Sequence, residues 1–234
     1  MEKNKGCNVN LCKVWDWPLR MFHWLLVISV SACYITGLLG GLLTDWHGLL
    51  GAMVMGLLLF RIIWGLIGSS TARFINFIPT FSSIRAYLSG HWQGVGHNPL
   101  GSLAVIAILV TLLSLAVTGL FANDDIAFEG PLFHSIEKGL SDKLSGWHIW
   151  LVTPLLVIIA LHVSALLFYL IVKKTNLIVP MLTGNKRLPV NDITPSIDSV
   201  NKLRCLASIV VAMAFVVAIW NDGFTGYLVL LAKM

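Results

Sequence analysis

From Trp147 to Tyr169 the chain reads WHIWLVTPLLVIIALHVSALLFY, apolar enough to cross a bilayer yet carrying two histidines, His148 and His162, fourteen residues apart. Fourteen residues of α-helix rise about 21 Å and complete nearly four turns, so both imidazoles leave roughly the same face. One sits near a membrane surface and the other about two-thirds of the way across. Ionisable side chains at such depth are costly and mark a site by default. Two imidazoles stacked on one helix can each offer an axial nitrogen to a separate haem iron.

The composition fits that setting. The chain has 234 residues, 57% hydrophobic and 12% charged, with a mean hydropathy of +0.83. Soluble domains carry about 25% charged residues, so the expectation is an integral membrane protein with one membrane domain and no separate soluble one. The cysteines Cys7, Cys12, Cys33 and Cys205 form no CxxC or CxxCH, which excludes a covalently attached c-type haem. Cys7 and Cys12 read as reduced thiols in a cytoplasmic tail rather than a metal or redox pair.

Five apolar runs are near the roughly 20 residues a bilayer core requires: about 19–41, 47–68, 100–121, 147–172 and 204–220. Trp15 and Trp17 precede the first as interfacial anchors, and Pro18 stands where a helix start tolerates it. Its length, with Arg20 and His23 inside, argues for a span over a signal peptide. Residues 69–99 are polar and broken by Pro79, Gly90, Gly94 and Gly96, ending in the helix-start signal Asn98-Pro99. Residues 122–146 are acidic. No repeat and no low-complexity tract stands out.

Orientation follows from Lys and Arg in the loops. The N-terminus, the 69–99 loop and the 173–204 loop hold eleven (Lys3, Lys5, Lys13, Arg73, Arg85, Lys173, Lys174, Lys186, Arg187, Lys202, Arg204). The other side holds three (Lys138, Lys143, Lys233). This puts the N-terminus in the cytoplasm and the C-terminus in the periplasm of a bacterial inner membrane. The basic excess is topogenic, and no nucleic-acid partner is needed to explain it.

Depth then pairs the histidines. His47 opens the second run and His148 the fourth, both outside; His23 and His162 lie towards the cytoplasm. Packing or interfacial roles compete for His23, His47 and His148 singly, less so for His162 among Leu161, Val163, Leu166 and Leu167. Two bis-histidine haems would sit about 20 Å apart along the normal. Arg61, fourteen residues after His47, faces the same way at the inner level, where haem propionates or a carboxylate could pair it. Arg20 shares the face of His23, with snorkelling to lipid phosphate as the alternative. Gly48, Gly51, Gly56, Gly65 and Gly68 could admit a flat macrocycle or serve helix packing. His91, His97 and His134 are expected to be solvated or capping loop residues.

Together WDWPLRMFHW (15–24), RIIWGLIGSSTARF (61–74), GHNPLG (96–101), TGLFANDD (118–125), GPL (130–132), HIWLVTPLLVIIALH (148–162) and MLTGNK (181–186) resemble the bacterial cytochrome b561 and nickel-hydrogenase b-type cytochrome family. The resemblance implies an all-α four-helix transmembrane bundle over about 15–186, holding two haems b on His23, His47, His148 and His162. Residues 1–14 would be a cytoplasmic tail, and 187–234 a linker with a fifth transmembrane helix outside the usual core. Ser69-Ser70 before ARF is a second departure from the family pattern.

The implied function is electron transfer between a periplasmic redox partner, hydrogenase-like or a c-type cytochrome, and the quinone pool. A quinone would sit by the inner haem near His23 and Arg20. The acidic 122–146 segment reads either as a dock for the partner or as an ordinary solvated loop. A self-contained superoxide:quinone oxidoreductase is the alternative. A histidine-based proton or ion transporter is a remoter one, lacking the inverted repeats and broken helices such folds often show. Homo-oligomerisation is left open.

Overall fold

The computed structural model describes residues 9–92, 96–126, 128–189 and 199–231; Cys7, Gly94 and the distal lysines Lys3, Lys5 and Lys233 lie outside them. It is an all-α membrane protein with five helices long and apolar enough to span. These are α1 (Trp17–Leu39), α2 (Thr44–Ile67), α5 (Pro99–Leu120), α6 (Lys138–Ile171) and α8 (Lys202–Leu231). Between them lie the short helices α3 (Phe74–Phe77), α4 (Phe81–Leu88) and α7 (Ile178–Thr183), two of which subdivide the expected 69–99 loop. Outward faces are apolar, with Leu38, Ile149 and Leu161 among many large exposed side chains. Such a surface suits hydrocarbon, where every backbone group must be bonded inside its own helix.

Two boundaries differ from the sequence reading. The acidic segment is a loop only in its first part: a 3-10 turn at Phe133–Ser135 is followed by α6, which begins at Lys138 and runs for 34 residues. Its first turns are polar, so hydropathy alone starts the helix too late. Pro154 lies inside α6, where it forfeits one backbone bond, a loss spanning helices tolerate. The N-terminal tail is also structured, as strand β1 (Val9–Lys13) pairs antiparallel with β2 (Asn185–Pro189). No apolar alternation marks these strands; the long-range pairing makes them.

The α1–α2 turn is tight because Gly40 and Gly41 both take left-handed φ, 58° and 56°, a conformation glycine adopts without steric cost. The opposite end is locked by Asp16, fully buried at the N-cap of α1. Its Oδ1 accepts from the Leu19 N–H at 2.7 Å; its Oδ2 accepts from Trp64 Nε1 at 3.0 Å and from the Ser69 hydroxyl. One carboxylate thus caps α1 and ties it to the end of α2, which gives Ser69 a structural role. Around it packs a core that includes Trp15, Leu19, Phe22, Leu58, Phe60, Trp64 and Ala72.

The bonds that cross helices show which ends are together. Asn98 Nδ2 donates to the Tyr169 hydroxyl at 2.8 Å while its Oδ1 accepts from the Gly101 N–H at 2.7 Å, capping α5. Val14 and Trp15 N–H both donate to Gly184 O, at 2.8 and 3.1 Å. Arg204 Nη1 reaches Ile67 O at 3.5 Å. The start of α1, end of α2, start of α5, end of α6 and start of α8 therefore share one end, the grouping that the loop charges imply. The fifth helix α8 lies along α2 through buried Cys205, Ser208 and Ala212, with Val216 Cγ2 against Gly56.

Asp16→Ala removes a helix cap (~0.5–2 kcal/mol) and strands buried donors (about 1–3 kcal/mol). It should cost on the order of 2 kcal/mol or more, read as a lowered Tm in detergent. An unchanged Tm would refute this role.

Candidate functional site

The four expected histidines gather at two levels. His47, one turn into α2, and His148 of α6 face each other with ring centroids 5.9 Å apart and planes at 85°. His47 Nδ1 lies 2.9 Å from the Cys33 carbonyl oxygen, and His148 Nδ1 lies 2.9 Å from that of Leu115. A carbonyl oxygen can only accept, so each Nδ1 carries the proton and donates it. Each Nε2 is left with its lone pair, as a metal-ligating imidazole requires.

The local sequence explains how an imidazole gets that close to a helix backbone. The accepting carbonyls lie four residues before Gly37 and Gly119. A Cβ on Gly37 would stand 2.9 Å from His47 Nδ1, and one on Gly119 would stand 3.1 Å from His148 Cε1. The preceding threonines bond the same carbonyls: Thr36 Oγ1 donates to Cys33 O at 3.0 Å and Thr118 Oγ1 to Leu115 O at 3.0 Å. The two seats are built alike, one on α1 and one on α5. Their shared signature, Ile35-Thr36-Gly37-Leu38 and Val117-Thr118-Gly119-Leu120, is a short repeat that sequence inspection passed over.

Between the seats is a cavity of about 580 Å³, lined by His47, His148, Gly37, Gly119, Phe128 and Trp220 among others. That is within the ~300–1,000 Å³ of ordinary cofactor sites. Of the α2 glycines, Gly48 and Gly51 line it. Gly56 and Gly65 instead pack against Val216 and Phe74, and a Cβ on Gly68 would meet Trp64.

At the other level His23 of α1 and His162 of α6 are electrostatic neighbours. His97 lies within electrostatic range of both and of Arg61. It is no solvated loop residue: its ring is 4.5 Å from that of Trp15 and 5.7 Å from that of Phe77. Asn98 caps α5, and the preceding His97 packs its ring against these two aromatic side chains. Arg61, only 4% exposed, lies 4.5 Å over the Phe74 ring and 5.5 Å from that of Phe77, a favourable cation–π setting. The nearby carboxylate absent from the apolar runs is Asp16, just outside the first, which acts on Arg61 electrostatically. Arg20 Nη1 donates to the Leu182 carbonyl, so backbone takes the place of lipid phosphate as its partner.

Four buried nitrogens here have no hydrogen-bond partner among the described residues: Arg20 Nε, His23 Nδ1, Arg61 Nη1 and His97 Nδ1. Buried donors are rarely left so, which marks the place of a polar, acceptor-rich group.

The acidic surface beyond the His47 level is largely self-bonded. Lys138 Nζ lies 2.6 Å from Asp125 and 3.0 Å from Asp142, and His134 Nε2 lies 2.9 Å from Glu129. Asp124 Oδ1 accepts from the Ile126 and Phe128 N–H groups at 2.9 Å each. These bonds hold Phe128 over Gly48, so the acids shape the cavity's cover. Among the described residues no group of three or more His, Cys, Asp or Glu could hold a bare metal ion.

An iron between two imidazoles, at ~2.0–2.1 Å per metal–nitrogen bond, separates ring centres by about 6 Å. The His47–His148 spacing fits. Paired imidazoles with free Nε2 atoms in an apolar slot of a spanning bundle have the donor chemistry of a membrane cytochrome b. The chain belongs to the prokaryotic cytochrome b561 family, whose model matches residues 14–184. It is 26% identical over 212 residues to a probable Ni/Fe-hydrogenase B-type cytochrome subunit of Azotobacter vinelandii, covering 73% of this chain and 86% of that one. A probable Ni/Fe-hydrogenase 1 B-type cytochrome subunit of Escherichia coli K12 is 23% identical over 193 residues, covering 64% and 81%. No solved structure matches the chain significantly. The protein is thus a multi-pass membrane cytochrome b with an electron-transfer role.

Burial first, then the charges of Arg61, His162 and His23, holds His97 down at about 4 from its usual 6.5. Between these values the unfolded chain binds a proton that the folded one refuses, so stability falls as pH drops from 6.5 towards 4. The slope is at most about 1.4 kcal/mol per pH unit. His97→Gln should flatten this limb in thermal melts across that range; an unaltered slope would contradict the assignment.

Proposed function

We propose that the chain relays single electrons across a bacterial inner membrane through two haems b, one held by His47 and His148, the other by His23 and His162. The N-terminus would be cytoplasmic and the C-terminus periplasmic. The observation that carries this reading is the His47–His148 pair, whose Nδ1 atoms are both committed to helix carbonyls and whose Nε2 atoms are both free.

Bound haem supplies the reversible one-electron chemistry of its iron. The chain supplies the rest. The Thr-Gly seats on α1 and α5 hold the outer imidazoles at fixed orientation. Their bonds to carbonyls keep the correct tautomer and raise ligand basicity. Apolar walls exclude water. At the His23 level Arg61 and Arg20 would present cations to the carboxylates of the macrocycle, in keeping with their unpaired nitrogens. Two sites stacked along α6 divide a ~30 Å hydrocarbon layer into shorter transfers.

A partner of hydrogenase type is favoured by the names of the relatives, and the charge distribution of the loops would put it on the periplasmic side. Quinone at the His23 level would accept or donate on the other side. Residues 15–186 would form the di-haem unit, with α8 adding a wall that includes Trp220.

Two measurements test the reading. Haem extracted from purified protein and counted as its pyridine haemochromogen should be b-type, about two per chain. His47→Ala and His148→Ala should each lower that count to about one, and His162→Ala should do the same by emptying the other site. A colourless protein that stays so when haem is supplied would overturn the reading. Gly37→Ala, which forces a methyl onto the His47 ring, should lose or perturb only the haem that His47→Ala removes.

A further inference from the structure

The fifth spanning helix α8 lies beyond residue 184, where the match to the family model ends, so the shared four-helix core does not account for it. Its buried positions Cys205, Ser208 and Ala212 recur at helical spacing and all are small. Ser208 Oγ donates to the Arg204 carbonyl at 2.8 Å, which satisfies the hydroxyl within α8 itself. A small, self-satisfied face lets two helix backbones approach closely. Further along, the side chains grow. Val216 Cγ2 lies 3.4 Å from where a Cβ on Gly56 would stand, and Trp220 follows one turn later.

α8 runs antiparallel to α2, since Arg204 reaches Ile67 O at one end and Val216 meets Gly56 further on. One turn past Val216, Trp220 is therefore level with Ala52, one turn before Gly56. Ala52, Gly51 and Gly48 all line the His47/His148 cavity, and a Cβ on Gly51 would meet nothing within 4 Å. Here α2 offers almost no side chain with which to close the slot. Trp220 is the only α8 residue lining that cavity among the described residues, and it is 40% exposed, as a side chain between slot and surroundings must be.

We propose that α8 closes the His47/His148 haem slot on its α2 side, with Trp220 as the positioning residue that retains the macrocycle there. This rests on the di-haem reading above. An indole brings a large apolar area and an aromatic face to a flat conjugated ligand. The small face of Cys205, Ser208 and Ala212 sets the helix spacing, and the glycines of α2 leave the room that Trp220 closes.

Transfer of haem from the purified full-length protein to excess apomyoglobin tests this without turnover. Trp220→Ala should hasten release of one haem by about tenfold, the factor equivalent to ~1.4 kcal/mol of lost ring contact. The haem released should be the one that His47→Ala removes. Trp220→Phe, which keeps an aromatic ring, should hold it nearly as long as the natural residue does. Gly56→Leu, which wedges α8 away from α2 at Val216, should act like Trp220→Ala, and Val216→Ala added to it should largely restore retention. If Trp220→Ala and Gly56→Leu leave both release rates unchanged, or free the His23/His162 haem instead, the assignment is wrong. A protein that binds no haem at all would instead sink the cofactor reading on which it stands.

Discussion

An imidazole inside hydrocarbon must have its N–H bonded, and the only acceptors a spanning helix offers are carbonyls already engaged in its own ladder. The protein meets this constraint by sharing two of those carbonyls, at Cys33 and Leu115. Each accepts from an imidazole and from the hydroxyl of the threonine three residues on. Glycine in the next position clears the approach. The protonated nitrogen, ring orientation and free Nε2 of His47 and His148 all follow from that contact. The α1–α2 and α5–α6 pairs must then pack closely, since each seat lies on one helix and its histidine on the next.

The other end of the bundle solves a different problem. There the costly groups are cations and a carboxylate, and they are handled by enclosure. Asp16 is saturated by three donors from α1, α2 and the Ser69 turn. Arg61 is covered by two phenyl rings. Asn98 fixes the entry to α5, and the β1–β2 ladder with Gly184 clamps the entry to α1. What stays unsatisfied among the described residues is a set of nitrogens at this one level, and such a set suits an acidic ligand.

Much of this was legible in the sequence. Spans announce themselves by length and hydropathy, and fixed helical rise converts the spacing of His148 and His162 into depth. The residues that hold the histidines were harder to see. Thr36-Gly37 and Thr118-Gly119 are ordinary in spanning helices, and only proximity to a ring shows their role. Glycines on α2 drew attention by number, yet Gly56 and Gly65 serve packing. Asp16 lies three residues before the first apolar run, so hydropathy does not associate it with Arg61. His97 looked solvated because its neighbours are polar, while long-range contacts with Trp15 and Phe77 bury it. Polar first turns hid the start of α6, and pairing distant in sequence created β1 and β2.

On the proposed reading, one chain would carry electrons through the thickness of a membrane along its histidine ladder. Purified protein reconstituted into sealed vesicles, with an impermeant oxidant trapped inside and an impermeant reductant added outside, tests it most directly. The trapped oxidant should be reduced at a rate proportional to the protein incorporated, and His47→Ala or His162→Ala should abolish this. Haem that reduces fully from outside while the trapped oxidant stays oxidised would contradict it.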